Sequence, residues 1–179
     1  AGASRAAFPN GERNSKFLPL MSDFVDILPL QQMLDASGLA WRGRNFEDIY
    51  TDLVLDPQKA YARDAIEDAV FTYFSSLSLP QQPTLYDHLI LCLRPKDVIA
   101  TFNWDPFLTQ AALRNRHLTD VPRLLFLHGN VLQGYCETDR VHGMITGRCS
   151  QCGNQFKPVK LLYPIAEKDY ESQPAISSA

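Results

Sequence analysis

The chain has 179 residues, 45% hydrophobic and 21% charged, the make-up of a globular domain with a sizeable core. Its formal net charge of −3 gives no bulk attraction to nucleic acid or to an anionic membrane. No apolar run approaches the roughly 20 residues that span a bilayer, and the four cysteines, two of them in a C-x-x-C pair, point to a reducing, cytoplasmic setting and a metal rather than a disulfide framework.

The sequence opens on Ala1-Gly2-Ala3-Ser4. Small residues let a ligand approach the backbone, and exposed amides at a helix start bind phosphate. The same composition also describes a frayed end. Residues Phe8 to Ser15 carry Pro9 and Gly11 and read as a loop, with Phe8 as the apolar tip of a cover. Helices are predicted over Phe17 to Leu28, Pro29 to Leu39 (stopped by Gly38) and Phe46 to Val54 (capped by Asn45). The longest is predicted over Pro57 to Leu77, capped by Asp56, with Ala62, Ile66, Val70 and Leu77 at helical spacing. Its aromatic group Phe71, Tyr73 and Phe74 reads as core. Thr84 caps a further helix to Arg94, with Leu85, Leu89, Leu91 and Cys92 expected inside. His88 and Cys92 share a face there, which reads as a surface histidine beside a core cysteine rather than as a metal pair. Residues 17–94 are thus nearly all helix.

From Asp97 the pattern changes. Asp97 to Phe102 reads as a strand, Asp105-Pro106 as a helix start, and Arg123 to Leu127 as a second strand. A strand, helix, strand order implies a parallel pair. Ligands in open parallel sheets sit beyond the carboxyl ends of the strands. Asn103, Asp105 and His128 should therefore converge. Asp105 has a second reading as a helix cap, and His128, followed by Gly129, has a second reading as an ordinary structural histidine. A neutral imidazole near pH 7 can nevertheless take a proton.

Further on, Cys149-Ser150-Gln151-Cys152-Gly153 has the spacing of a zinc knuckle, half of a tetrahedral site. The upstream candidates are Cys136 and His142, giving C-x5-H-x6-C-x2-C. The polar loop between has too little apolar content to order itself, which favours a structural metal, with free thiols as the alternative. Val159 to Tyr163 reads as a strand ended by Pro164, and residues from Tyr170 as the approach to another helix. The ends read as cut, so we expect a segment of a longer protein.

The order of Ala1-Gly2-Ala3-Ser4, Thr101-x-Asn103-x-Asp105, His128-Gly129 and a C-x-x-C resembles the sirtuin (silent information regulator) family and its NAD-hydrolysing relatives. The resemblance covers Ala1 to Cys152 and is poorest across the helices. It implies an incomplete α/β domain: a partial Rossmann-like parallel sheet, a helical insertion over 17–94 and a zinc module over 130–156. It implies NAD as substrate, met by the amides of Gly2, Ala3 and Ser4 and by Thr101, Asn103, Asp105 and Gly129. Asn103 would hold the ribose or orient the nucleophile, and His128 would act as general base. Structural zinc would be held by Cys136, His142, Cys149 and Cys152. It also implies further domains and an oligomer, with no nucleic-acid or membrane partner.

Three departures bear on the reaction. Deacylating sirtuins carry Gln where Phe102 stands, a Pro-Asp-Phe-Arg element where Pro9-Asn10-Gly11-Glu12 stands, and Ser or Thr where Asn130 stands. They favour water as acceptor, giving ADP-ribose and nicotinamide. Bacterial relatives of this kind deplete NAD in anti-phage defence. A protein deacylase and a non-enzymatic NAD or ADP-ribose sensor are the alternatives.

Overall fold

A computed structural model describes residues 12–13, 16–17, 24–28 and 30–165. The Ala1–Ser4 turn, the Phe8 cover and the segment from Tyr170 lie outside the described residues. What is described is a mixed α/β chain with a small parallel sheet and helices. It divides into two units, one reaching Tyr73 and including residues 163–165, the other Phe74–Leu162. The boundary falls within the expected 17–94 insertion. Among the described residues no helix is long and apolar enough to cross a membrane.

In the first unit, β1 (Glu12–Arg13) and β2 (Lys16–Phe17) pair antiparallel. Phe17 was expected at the start of a helix and pairs in β2 instead; among the described residues of that segment, α1 spans Phe24–Ile27. Next come α2 (Gln31–Ala36) and α3 (Phe46–Leu55). A 3-10 turn (Pro57–Lys59) leads into α4 (Ala60–Ser75). The boundaries follow local chemistry. Gly38 leaves α2 at φ +69°, a left-handed conformation that costs glycine little. The Asn45 side chain accepts from the Asp48 amide at 2.9 Å, and that of Asp56 from the Gln58 amide at 3.0 Å. Each cap satisfies an amide that the helix itself leaves open. The buried stripe Phe46, Ile49 and Leu53 of α3, and Ala62, Ile66 and Val70 of α4, form the core. The Tyr50 ring stacks on Tyr163 at 4.6 Å and its hydroxyl donates to Glu67 Oε1 at 2.5 Å. Tyr163 sits in irregular chain, where a strand was expected.

The second unit holds every candidate site residue that is described. It contains α5 (Leu85–Cys92), β3 (Val98–Thr101), α6 (Phe107–Asn115) and β4 (Arg123–Phe126), followed by β5 (Gln133–Cys136), β6 (Val141–Met144) and β7 (Lys157–Pro158). Strands β3 and β4 are parallel, with Val98 opposite Arg123 and Thr101 opposite Phe126. The crossover between them is α6, which buries Phe107, Leu108, Ala111 and Ala112, as its periodicity requires.

Two expectations are corrected here. On α5 the residues Leu85, Leu89, Leu91 and Cys92 are exposed, and Tyr86, Asp87 and Ile90 are buried. Asp87 decides which face goes in. Its carboxylate accepts from Arg114 Nε at 2.5 Å and Asn115 Nδ2 at 2.8 Å on α6, and from the Thr84 amide at 2.6 Å. Burial pushes the Asp87 carboxyl up, but the bonds from Arg114, Thr84 and Asn115 outweigh it and hold the group below the ordinary carboxylate range. The second correction concerns the polar loop between Cys136 and Cys149. It contains β6, the edge of a three-stranded antiparallel sheet in the order β6-β5-β7.

Candidate functional site

The parallel register carries the chain out of β3 and β4 at the same end of the sheet. The ladder continues one step beyond the strands, where the Leu127 amide donates to the Thr101 carbonyl at 2.8 Å. Past that point the two exits are tied together twice more. The Val131 amide donates to the Trp104 carbonyl at 3.1 Å, and Asn130 Nδ2 donates to the Asp105 carbonyl at 2.5 Å. The segments bearing Asn103 and His128 therefore lie side by side at the carboxyl ends. The rings of Phe102 and His128 meet edge-on at 4.7 Å, and Phe102 remains 61% exposed. Phe102 is thus a surface side chain lying against a half-buried imidazole, not part of the core.

The residues expected to meet a ligand turn out to have distinct jobs. Thr101 Oγ1 accepts from the Asn103 amide at 3.1 Å and so shapes the turn that presents Asn103. Asp105 is buried, and its carboxylate accepts from the Phe107 amide at 3.1 Å, capping α6. Burial pushes its carboxyl up to about 6, against that one backbone bond. Gly129 has φ +76°, and a Cβ there would lie 3.1 Å from the Lys160 carbonyl oxygen. Its glycine is thus required by the backbone and by the neighbouring 160–161 segment, whether or not a ligand comes close. The His128 carbonyl is held by the Leu162 amide at 2.9 Å.

Asn130, read from sequence only as a departure from a pattern, is the clamp of this region. It is fully buried. Besides reaching Asp105, its Oδ1 accepts from the Leu132 amide at 2.9 Å. One side chain thereby fixes the exit of β3 against the exit of β4.

From the end of β5 onward, four further side chains gather. Cys136, Asp139, Cys149 and Cys152 offer ligand atoms that all lie within 4.8 Å of one another. Cys136 Sγ is 3.5 Å from Cys152 Sγ and 3.5 Å from Asp139 Oδ2, and Cys149 Sγ is 3.0 Å from the same oxygen. Zinc–thiolate bonds of 2.3 Å define a tetrahedron with edges of roughly 3.8 Å, and sulfur–oxygen edges of roughly 3.5 Å. These three separations fall within about half an ångström of those edges. The cluster can hold a metal ion such as zinc.

The fold explains how the ligands are placed. Cys136 ends β5 and Asp139 lies on the hairpin loop before β6, where Arg140 takes φ 55° and its amide returns to the Cys136 carbonyl at 2.8 Å. The other pair sits on a knuckle closed by the Gly153 amide on the Cys149 carbonyl at 2.9 Å, with Gly153 at φ +75°. Phe156 packs across Gly134 and Gly143 on the Cys136 face, so closely that a Cβ at either glycine would fall within 2.5 Å of it. The amides of Asp139 and Thr138 point at Cys136 and hold its thiol below the ordinary range. The Asp139 carboxylate pushes the Cys152 thiol up to about 12, and the same hydrogen bond holds Asp139 itself low. Such a concentration of anionic donors suits a divalent cation.

His142 is replaced by Asp139 in this set. It stands opposite Tyr135 in the β5–β6 ladder, exposed, with the two rings 5.1 Å apart. Cys136 pairs with Val141, and Val141 packs on the cysteine cluster. Successive strand residues alternate faces, so the histidine after Val141 points away. The signal for Asp139 was present: Cys136-x-x-Asp139 has the same spacing as Cys149-x-x-Cys152. Cys136 and Asp139 together make a second, knuckle-like pair, which the expected Cys136–His142 set did not include.

No family model matches this chain, and no curated protein matches it. The geometry therefore stands on its own residues.

Proposed function

We propose that this chain cleaves the nicotinamide–ribose bond of NAD with water, giving ADP-ribose and nicotinamide, in the manner of proteins that deplete NAD in anti-phage defence. The observation that supports this most is the parallel β3–β4 register, with both strand exits bonded together and Asn103 and His128 carried on them. Breaking that bond builds positive charge on the ribose carbon as neutral nicotinamide departs. Water then bonds to that carbon and loses one proton. Asn103 is the group that holds the ribose or orients the water, and His128 is the base that takes the proton. Phe102, against the His128 ring, replaces the Gln that deacylating sirtuins carry, which favours water as acceptor. Asp105 contributes by capping α6 and holding the β3 exit in place. The cysteine cluster holds structural zinc on this reading: four protein ligands leave no open position for catalysis.

The test is NAD loss by the full-length protein, with His128→Ala and Asn103→Ala. Both variants should lose turnover by at least about 100-fold while remaining folded by circular dichroism. Unchanged turnover in both would remove the proposal. NAD loss that appears only with an acetylated peptide would assign the chain to the deacylases.

A further inference from the structure

The metal cluster is asymmetric in a way that a purely structural site does not require. Cys136 and Cys149 are buried, at 3% and 2% exposure, whereas Cys152 is exposed. Cys152 Sγ also stands 3.5 Å from Cys136 Sγ. A disulfide has an S–S distance of about 2.05 Å, so these two sulfurs are about 1.5 Å from bonding. They belong to different loops: Cys136 begins the β5–β6 hairpin loop and Cys152 lies on the knuckle. A bond between them would join the same two loops that the ion joins. The fourth ligand, Asp139, is an oxygen donor, softer zinc-binding thiolates making up the rest.

We propose that this cluster is an oxidation site, at which a hydroperoxide links Cys152 to Cys136 and expels the ion. This rests on the cluster holding zinc. Peroxide reaches the exposed Cys152 first. Its thiolate attacks one peroxide oxygen, the O–O bond breaks, and a sulfenic acid forms with release of hydroxide. The Cys136 thiolate then attacks that sulfur, forming the S–S bond and releasing a second hydroxide. Two thiolates lose two electrons in all, and the peroxide gains them and, with two protons, becomes two waters. The zinc is left with Cys149 and Asp139 alone, a set too small to retain it. The disulfide keeps the hairpin and knuckle together after the ion leaves, so the change reverses with a thiol reductant and added zinc.

The experiment uses the full chain with Cys92→Ser, which removes the exposed thiol outside the cluster. Zinc content is measured first, then one equivalent of hydrogen peroxide is added. Zinc release, free thiols and disulfide-linked peptides are followed by a chromophoric chelator, thiol titration and mass spectrometry. The expected result is one zinc per chain, its release together with loss of two thiols, and a Cys136–Cys152 linked peptide. Excess dithiothreitol with zinc should restore the starting state. A protein that takes up no zinc would overturn the zinc reading and this proposal with it. Bound zinc that stays in place, leaves without a disulfide, or leaves with a Cys149–Cys152 link would overturn this proposal alone.

Discussion

The clamp at Asn130 gives the most direct quantitative test of how the two strand exits are held. In Asn130→Ala, the Asp105 carbonyl loses the Nδ2 donor at 2.5 Å and the Leu132 amide loses the Oδ1 acceptor at 2.9 Å. Asn130 and its bond to Asp105 are buried, so water does not readily replace that partner, while the Leu132 amide is part-buried. Leaving one buried polar group unpaired costs about 1–3 kcal/mol. The Asp105 carbonyl carries that cost in full and the part-buried Leu132 amide adds less, so the loss is about 1–4 kcal/mol for Phe74–Leu162, the unit that contains them. The assay is urea unfolding followed by tryptophan fluorescence, since Trp104 lies beside the clamp and its carbonyl accepts from the Val131 amide. Asn130→Asp is the control of equal size. It keeps the acceptor for Leu132 but sets an oxygen against the Asp105 carbonyl, a repulsion relieved only when the new carboxyl is protonated. Its folded-state pKa is therefore raised, and its stability should fall as pH rises through that value. A loss below about 1 kcal/mol in Asn130→Ala, with no pH dependence in Asn130→Asp, would refute the clamp.

Two further outcomes follow from burial and parity. The Asp105 carboxyl is pushed up to about 6 in the fold, above its unfolded value near 3.9. The stability it allows is therefore fully present below the unfolded value and is lost as pH rises toward 6. Asp105→Asn, which can still accept from Phe107, should unfold at higher urea than the parent at pH 7.5, by up to about 3 kcal/mol, with the gap shrinking at pH 5; a gap that widens on acidification contradicts the burial argument. At the metal cluster, Asp139→Ala should weaken zinc binding by more than about 100-fold in a competitive chelator titration, and His142→Ala should change it by less than about 2-fold. The reverse ranking would return the histidine to the site.

What the sequence determined was what neighbours in the chain decide. The caps at Asn45, Asp56 and Thr84 and the stop at Gly38 each need only a side chain or backbone conformation within a few residues, and each stands where expected. The β3–α6–β4 unit was legible for the same reason: an apolar run, a capped amphipathic helix and a second apolar run leave one simple arrangement, the parallel pair. The C-x-x-C knuckle was likewise local. Tertiary structure decided the rest. Helix α5 carries apolar residues on several faces, so periodicity could not choose among them; the pairing of Asp87 with Arg114 and Asn115 did. Asn130 looks from sequence like any polar residue after a glycine, and only the return of the chain beside β3 makes it a clamp. Donor chemistry points from sequence to His142 as the fourth ligand, and Asp139 enters the set only in the fold. The pairing of Cys136 with Val141 settled it, because a strand turns each residue to the opposite face from the one before.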